Sequence, residues 1–422
     1  MRAPPPRRSL IRLLRLSVSL LALPLAAQAP ADSLSRPGLT IPCPTSVGDT
    51  LASVEAPAAF LSGAATAASR IELRFTGDVP TVARAALQRA ADLWASYLES
   101  AVPIVVDVDW RDEGDAGLLA SAGPTTFFRD FGAGAEPGLW YPVALAEAIA
   151  GRDLNDLADA DIRVTVNAGA DWYFGLDARP PRTQTDLVTV ALHELGHGLG
   201  FISSADTLAR GAELGIGFGG RFVVYDLGLV EAPGRRLSDG RLFDNPSERL
   251  LAAVTEDELT WVGPTVLDRN GGPAPLFAPR AFDIGSSVSH FDERTYRPGD
   301  ANALMTPFLA RGEAAHQPGA VGLALLADLG WAVRFELASA TGQTQAAAPA
   351  VAYPNPVRDG RLYLAVAPSA PPTLAVYDAL GRSVLRVTGV AEGGAVGFDV
   401  SRLPAGTYVA RGAGGAFVFA KR

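Results

Sequence analysis

The sequence predicts an α+β fold followed by a small all-β sandwich. An alternating apolar segment at Ile71–Phe75 is typical of a strand, and the next segment places apolar residues at helical spacing between Leu87 and Leu98. Another apolar segment, Val102–Trp110, predicts a second strand. Short alternating segments separated by Gly and Pro fill residues 351–422, which is typical of a small sandwich. The 422 residues therefore divide into at least two domains.

The N-terminal residues show neither the strand pattern nor the helix pattern of the later segments. Residues 1–29 contain five arginines, an apolar run over Leu16–Leu25 and an A-x-A cleavage site at 27–29, which together predict a signal peptide. No later segment has about eighteen uninterrupted apolar residues, so we expect an exported protein without a transmembrane segment in its mature chain. Residues 30–68 are rich in Pro, Ala, Ser and Thr and predict a propeptide or an irregular N-terminal arm.

The segment Ala191–Phe201 contains the H-E-x-x-H pattern of a metal site. His193 and His197 are two of the four histidines and share one face of a predicted helix, so both imidazoles can bind one Zn²⁺ ion. Glu194 lies beside the first histidine, where its carboxylate can act on a water molecule next to the metal. The pattern therefore predicts two metal ligands and one general base.

Three glycines lie within or just after this helix. Gly196 and Gly198 each cost about 1 kcal/mol relative to Ala in a helix interior, which predicts close approach of a neighbouring backbone. Gly200 is expected to adopt a left-handed conformation that ends the helix. At the other end, either Thr185 or Asp186 is expected to cap the helix.

A catalytic zinc site needs a third protein ligand. The residue three positions beyond Gly200 is Ser203, which is a poor zinc ligand. The remaining histidines are His290 and His316, and a glutamate from a downstream helix is the other option. The residues alone leave these three alternatives open.

A methionine fifteen residues after His290 makes the sequence similar to a known family. Met305 follows this histidine by fifteen residues and lies in Ala303–Pro307, where a tight turn is expected. With the H-E-x-x-H-x-x-G pattern, this arrangement resembles metzincin metallopeptidases, in particular the leishmanolysin-like branch with its delayed third histidine. Leu325–Trp331 is similar to the helix that closes the catalytic domain of that family. The chain departs from the family pattern because this region has no cysteine and has Phe291 where Trp is common.

The resemblance implies a metzincin-like catalytic domain over residues 69–335. An N-subdomain to about residue 200 would hold a twisted mixed sheet and the active-site helix, and a C-subdomain over 201–335 would hold the Met-turn. It also implies His290 as the third ligand of one catalytic Zn²⁺ ion. The expected function is a secreted zinc metalloendopeptidase that uses Glu194 as general base and acid on protein or peptide substrates. A structural Ca²⁺ ion is neither required nor excluded by the sequence.

Two other functions stay open at this point. A non-catalytic surface adhesin or binding protein could retain the same scaffold, but Glu194 argues against it because such a site needs ligands and no base. A zinc hydrolase acting on something other than peptides also fits, because H-E-x-x-H constrains the metal and the base more tightly than the substrate.

The net charge argues against nucleic acid as a partner, and the cysteine content excludes a disulfide within the chain. Removing the signal peptide changes the formal net charge from −9 to about −14, so nucleic acid is not an expected partner. Cys43 is the sole cysteine, which excludes an intramolecular disulfide. Two interpretations of Cys43 stay open, namely a propeptide thiolate that binds the zinc until it is removed, and an incidental or buried thiol.

The C-terminal end carries a second resemblance. Residues 336–350 form a linker rich in Ala, Thr, Gln and Pro. Within residues 351–422, the segments Tyr353–Pro356, Val376–Arg382 and Asp399–Tyr408 resemble the C-terminal sorting domain of type IX secretion cargo. This resemblance implies the type IX secretion machinery as a partner and export through the periplasm to the medium or the bacterial cell surface. A carbohydrate-binding or adhesion sandwich is the alternative.

Overall fold

The computed structural model describes residues 34–337, apart from residues 116, 157 and 233, and parts of residues 352–422. In the second range, the residues left out are 354–356, 359, 365–372, 379–380, 393–394 and 413–414. The expected signal peptide and almost all of the expected linker lie outside the described residues.

Seven α-helices occur in the described ranges, and several are shorter than three turns. They are α1 (Ala58–Leu61), α2 (Thr81–Tyr97), α3 (Val143–Ala150), α4 (Leu187–Gly198), α5 (Glu248–Ala253), α6 (Pro264–Asn270) and α7 (Gly319–Leu329). Short 3₁₀ helices cover Ala209–Gly211, Val224–Gly228 and Ala303–Met305.

Strands are more numerous than helices. Before residue 337 they are β1 (Leu34–Pro37), β2 (Ile41–Val54), β3 (Ile71–Thr76), β4 (Leu98–Glu99), β5 (Ile104–Arg111), β6 (Leu118–Pro124), β7 (Thr126–Arg129), β8 (Tyr141–Pro142), β9 (Ile162–Asn167), β10 (Trp172–Tyr173), β11 (Thr185–Asp186), β12 (Asp206–Leu208), β13 (Glu213–Gly215), β14 (Leu229–Glu231), β15 (Arg235–Arg236), β16 (Thr260–Trp261), β17 (Ala274–Pro275), β18 (Leu309–Ala315) and β19 (Ala332–Val333). The C-terminal strands are β20 (Ala352–Tyr353), β21 (Arg361–Leu364), β22 (Thr373–Asp378), β23 (Ser383–Thr388), β24 (Val390–Glu392), β25 (Ala395–Asp399), β26 (Gly406–Gly412) and β27 (Gly415–Lys421).

A mixed sheet of six strands lies at the centre of residues 34–337, in the order β18-β2-β6-β9-β5-β3. Strands β3, β5 and β9 are parallel, and β6 runs antiparallel to β9. Strand β2 is antiparallel to β6 over its first residues and parallel to β18 over its later ones. It therefore joins the edge strand β18, which comes from a distant part of the chain, to the other four strands of the sheet.

The expectation of an irregular N-terminal arm is wrong for the residues that form β1 and β2. Strand β1 pairs with β7, and the 14 residues of β2 are built into the central sheet. The sequence of β2 shows no clean alternation because it contains Pro42 and Pro44 and pairs with different strands along its length. Its strand conformation comes from two distant partners, which local periodicity cannot reveal.

Helix α4 crosses the sheet and is buried along its whole length. The predicted apolar stripe of α2 is confirmed, and the indole N–H of Trp94 on α2 donates to the carbonyl of Leu192 at 2.8 Å. Of the two expected caps, Asp186 is the one observed, since its carboxylate accepts from the N–H of Thr189 at 2.8 Å. The helix that carries the candidate site is thus held at its start, its middle and its buried faces.

Residues 201–335 contain few long elements. Strands β14 to β17 form a small sheet in the order β15-β14-β16-β17, and helices α5, α6 and α7 are short. Trp331, just after α7, donates its indole N–H to the carbonyl of Leu199 at 2.8 Å. This bond joins the end of the region to the end of α4.

The C-terminal strands form two antiparallel sheets of four strands, β20-β21-β25-β24 and β23-β22-β26-β27. Their buried apolar side chains form a cluster separate from the main core, and Leu362, Leu374, Val376, Phe398 and Phe419 are fully covered. No helix in the described part of the chain is long and apolar enough to cross a membrane.

Candidate metal centre

The structure brings together three histidines that are far apart in the sequence. The Nε2 atom of His197 lies 3.0 Å from that of His193 and 3.1 Å from that of His290, and the remaining pair is 3.2 Å apart. His193 and His197 come from successive turns of α4, whereas His290 comes from a loop that precedes the 3₁₀ helix Ala303–Met305. At most 4% of any of the three side chains is exposed.

The hydrogen bonds of the three Nδ1 atoms determine the tautomer of each imidazole. Each Nδ1 lies 2.7 to 2.8 Å from a backbone carbonyl, which belongs to Leu304 for His193, to Phe201 for His197 and to Ser286 for His290. A carbonyl only accepts, so each Nδ1 carries the hydrogen and each Nε2 presents a lone pair. Three lone pairs that face one another cannot form hydrogen bonds, and a cation between them removes their repulsion.

The spacing of the three Nε2 atoms fits zinc. Tetrahedral Zn²⁺ with Zn–N bonds of about 2.0–2.1 Å holds its nitrogen ligands about 3.3 Å apart. The observed separations of 3.0 to 3.2 Å are slightly shorter, so a small outward movement of the rings would fit the ion. Carbonyl acceptors on the second ring nitrogen are also the usual partners of zinc-bound histidines.

Burial keeps these imidazoles neutral, which is the form that binds metal. It lowers the pKa of His193 to about 4 and that of His290 to about 3. The pKa of His197 is also well below its ordinary value, first because of burial and then because of the two neighbouring imidazoles. All three therefore offer lone pairs at neutral pH.

Glu194 lies beside the three histidines and is fully buried. Neither of its carboxylate oxygens has a hydrogen-bond partner among the described residues. Burial raises its pKa well above the ordinary value, and the nearby Cys43 thiol opposes part of this shift. A buried carboxylate without a cation or a donor is costly in a folded protein, and such perturbed groups are enriched at functional sites.

Cys43 on β2 lies at this site. Its sulfur and the ligand atoms of His193 and Glu194 lie within 4.8 Å of one another. Burial raises the pKa of the Cys43 thiol, and the Glu194 carboxylate adds to the shift. The thiol and the carboxylate are thus close enough for each to shift the pKa of the other. Both interpretations of Cys43, a thiolate that binds the zinc and an incidental or buried thiol, are compatible with this buried position next to His193 and Glu194.

Met305 packs against α4 from the side of the 3₁₀ helix. A Cβ atom on Gly196 would lie 2.7 Å from the Met305 sulfur, and one on Gly198 would lie 2.3 Å from the side chain of Ile162. Both glycines thus admit neighbouring side chains, whereas a neighbouring backbone was expected. Gly200 has a positive φ of 123°, as expected for the residue that turns the chain after the helix.

His316 is not part of the histidine group. Its Nε2 lies 2.8 Å from Oδ2 of Asp186, the residue that caps α4, and both side chains are buried. The alternative of His316 as third metal ligand therefore has no geometric support. His316 lies in the loop just after β18, but it is buried, and its contact with Asp186 anchors the end of β18 to the start of α4.

Sequence reasoning missed one buried group near the site, Asp226. Its carboxylate accepts from the hydroxyl and the N–H of neighbouring serines at 2.7 and 3.1 Å, and it is 1% exposed. The signal available was an acid in the apolar segment Phe222–Leu229, where a charge needs buried partners.

Comparisons with known proteins cover two parts of the chain. A family described as SPBPB7E8-like matches residues 81–212, which include α2 and α4. A curated relative from Schizosaccharomyces pombe (strain 972 / ATCC 24843), "Uncharacterized protein PB7E8.01", is 32% identical over 111 residues, which are 24% of this chain and 19% of the relative. The chain thus spans about a fifth of the length of that relative. No solved structure matches the chain.

The second part is the C-terminal end. A family described as a secretion system C-terminal sorting domain matches residues 351–421. The protein is therefore exported to the medium or the cell surface, and its C-terminal domain addresses it to the type IX secretion machinery.

Proposed function

We propose that this exported protein is a zinc-dependent endopeptidase of metzincin type with the delayed third histidine of the leishmanolysin-like branch. The observation that carries the proposal is the set of three buried Nε2 lone pairs 3.0 to 3.2 Å apart. The buried carboxylate of Glu194, which has no hydrogen-bond partner in the described residues, supports a catalytic use of the site. The position of Met305 against Gly196 supports the metzincin type.

In this proposal His193, His197 and His290 hold the ion through their Nε2 atoms. Bound Zn²⁺ supplies Lewis acidity, which polarises a carbonyl group and lowers the pKa of a water molecule toward 7. Glu194 accepts a proton from the attacking water on a carboxylate oxygen and delivers it to the nitrogen of the leaving amine. The carboxyl group of Glu194 holds the proton between the two transfers.

Cys43 on strand β2 covers part of the candidate site and could control its activity. Glu194 is covered, and Cys43 on β2 is among the groups that cover it. This position is compatible with Cys43 as a thiolate ligand that blocks the zinc. The raised pKa of the thiol and the place of β2 inside the central sheet instead favour a buried thiol. A blocking thiolate predicts that Cys43→Ala hydrolyses protein substrates faster than the unmodified chain at equal zinc content. Equal rates would favour an incidental buried thiol.

The experiment that tests the function is hydrolysis of casein by the full chain and by Cys43→Ala. We expect cleavage that a chelator stops and that added zinc restores. A protein that binds zinc but cleaves no peptide in either form would favour the non-catalytic adhesin. Hydrolysis of esters without hydrolysis of casein would favour a zinc hydrolase with other substrates.

A further inference from the structure

The 3₁₀ helix Val224–Gly228 lies between the two segments that orient His197 and His290. One is the turn 201–204, whose Phe201 carbonyl accepts from His197. The other is the loop 286–290, whose Ser286 carbonyl accepts from His290. A histidine ring can turn about its side-chain bonds. Its orientation therefore depends on how firmly the carbonyl that accepts from its Nδ1–H is held.

Asp226 fixes the first of these segments. Its Oδ1 accepts from the hydroxyl of Ser203 at 2.7 Å and from the N–H of Ser204 at 3.1 Å. Its Oδ2 accepts from the hydroxyl of Ser204 and, at 3.2 Å, from the N–H of Val223. Four donors from two stretches of chain converge on one buried carboxylate, so the turn 201–204 cannot move independently of the 3₁₀ helix.

The same elements also hold the second segment. The N–H of Ser203 donates to the hydroxyl of Ser289 at 3.0 Å, next to His290. The hydroxyl of Tyr225 donates to the carbonyl of Val288 at 2.9 Å. The turn and the loop are thus joined to each other and to residues 225 and 226.

A strained residue indicates that the loop is held in place. Val288 has a positive φ of 72°, which is unusual for a β-branched side chain, and it is fully buried. Such a conformation persists only where the surrounding contacts determine it, and it is concentrated at functional sites. Its N–H donates to the carbonyl of Phe277 at 2.9 Å while its carbonyl accepts from Tyr225, so both sides of the residue are fixed.

We propose that Asp226 is a positioning residue for the metal centre, which acts through Ser203 and Ser289 to set the direction of His290. The inference rests on the zinc site of the proposed function but not on peptide hydrolysis. It also gives a role to Ser203, which stands where the compact form of the zinc motif has its third histidine. In this chain that position joins the delayed histidine to the end of the active-site helix.

The first test measures zinc affinity of the folded, full-length protein by competition with a chelator. In Asp226→Asn, the amide nitrogen must face the N–H of either Ser204 or Val223, which breaks the network whichever way the amide turns. We expect Asp226→Asn and Ser289→Ala each to weaken zinc binding about 10- to 100-fold. Should Asp226→Asn fail to fold, Ser203→Ala replaces it, because it removes one hydroxyl that donates to Asp226 and keeps the N–H that donates to Ser289.

The matched control is Asp161→Asn. Asp161 is 2% exposed, and burial raises its pKa to about 6, as burial does for Asp226. Its carboxylate accepts from Val105 and Asn155 and makes no bond to the turn or to the loop. We expect the zinc affinity of Asp161→Asn to stay within about twofold of that of the unmodified chain. An equal loss in both Asp variants would mean that only general stability is affected and would overturn the proposal.

A double-mutant cycle separates an effect on His290 from an effect on the whole site. In a His290→Ala background, adding Ser289→Ala should change zinc affinity by less than about twofold, because the ligand it positions is absent. Ser289→Thr keeps the hydroxyl and should restore most of the affinity lost in Ser289→Ala. The same loss with and without His290 would contradict the proposal, whether or not the protein hydrolyses peptides.

Discussion

The two halves of residues 34–335 contribute to the candidate metal centre in different ways. The N-terminal half supplies His193 and His197 from a regular buried helix that a six-stranded sheet supports. The C-terminal half supplies His290 from a loop, with a strained residue two positions before it. Helical spacing places the first pair, whereas buried polar contacts place the third. The site therefore depends on whether the irregular half keeps its shape.

His290 and His316 show how buried contacts determine the role of a side chain. Both come from the irregular C-terminal half, and both are buried. His290 faces two neutral imidazoles, and His316 faces the carboxylate of Asp186. The partner therefore decides the role. One histidine completes the candidate metal centre, and the other fixes the helix that carries the remaining candidate ligands.

The largest expected effect is that of His290→Ala on metal binding. Losing a direct ligand should cost more than losing an outer partner, so we expect zinc affinity to fall by more than about 100-fold. Zinc content after dialysis, measured by elemental analysis, checks this. His316→Ala is the control, and a comparable loss of zinc there would break the distinction between the two histidines.

The next effect is that of His316→Ala on stability. Removing the imidazole takes away the bond from Nε2 of His316 to Oδ2 of Asp186, and 0% of Asp186 is exposed. We expect the free energy of unfolding to fall by about 3 kcal/mol, with little change in zinc affinity. Urea denaturation of the metal-free protein measures it. An unchanged midpoint would mean that the pair does not hold α4 in place.

A smaller effect comes from a buried acid of the regular half that lies outside the metal centre. Burial raises the pKa of Glu147 to about 7, and the nearby carboxylates of Asp161 and Asp153 add to the shift. The folded chain therefore holds this proton more tightly than the unfolded chain. Its stabilising contribution is complete below pH about 4 and is lost as the pH rises through about 7.

Glu147→Gln removes this ionisation and can keep the bond from the N–H of Leu154. We expect the variant to lose less stability than the unmodified chain between pH about 5 and 8, by an amount on the order of 2 kcal/mol. Denaturation curves at the two pH values measure the difference. Parallel loss of stability in both proteins would show that Glu147 ionises as freely as in the unfolded chain.

Local patterns in the sequence explain why part of the structure could be anticipated. The stripe of α2, the Asp186 cap and the common face of His193 and His197 all depend on residues a few positions apart. Strand β2 could not be anticipated, because it is paired with strands from distant parts of the chain and contains two prolines. The partner of His316 lies 130 positions away and left no local signal.

The resemblance to metzincins favoured His290 over the other candidate ligands, and the structure brings its Nε2 close to those of His193 and His197. Asp226 was missed for a physical reason. Its donors are backbone N–H groups and serine hydroxyls, which any sequence offers in abundance, so only the folded chain reveals the network.

The central claim is that three histidines hold zinc and that Glu194 moves the proton. Glu194→Gln tests it most directly, because the amide has nearly the shape of the carboxylate but cannot accept the proton. We predict that this variant keeps one zinc ion per chain and loses hydrolysis of casein by at least about 100-fold. Unchanged hydrolysis by the zinc-loaded variant would contradict the account.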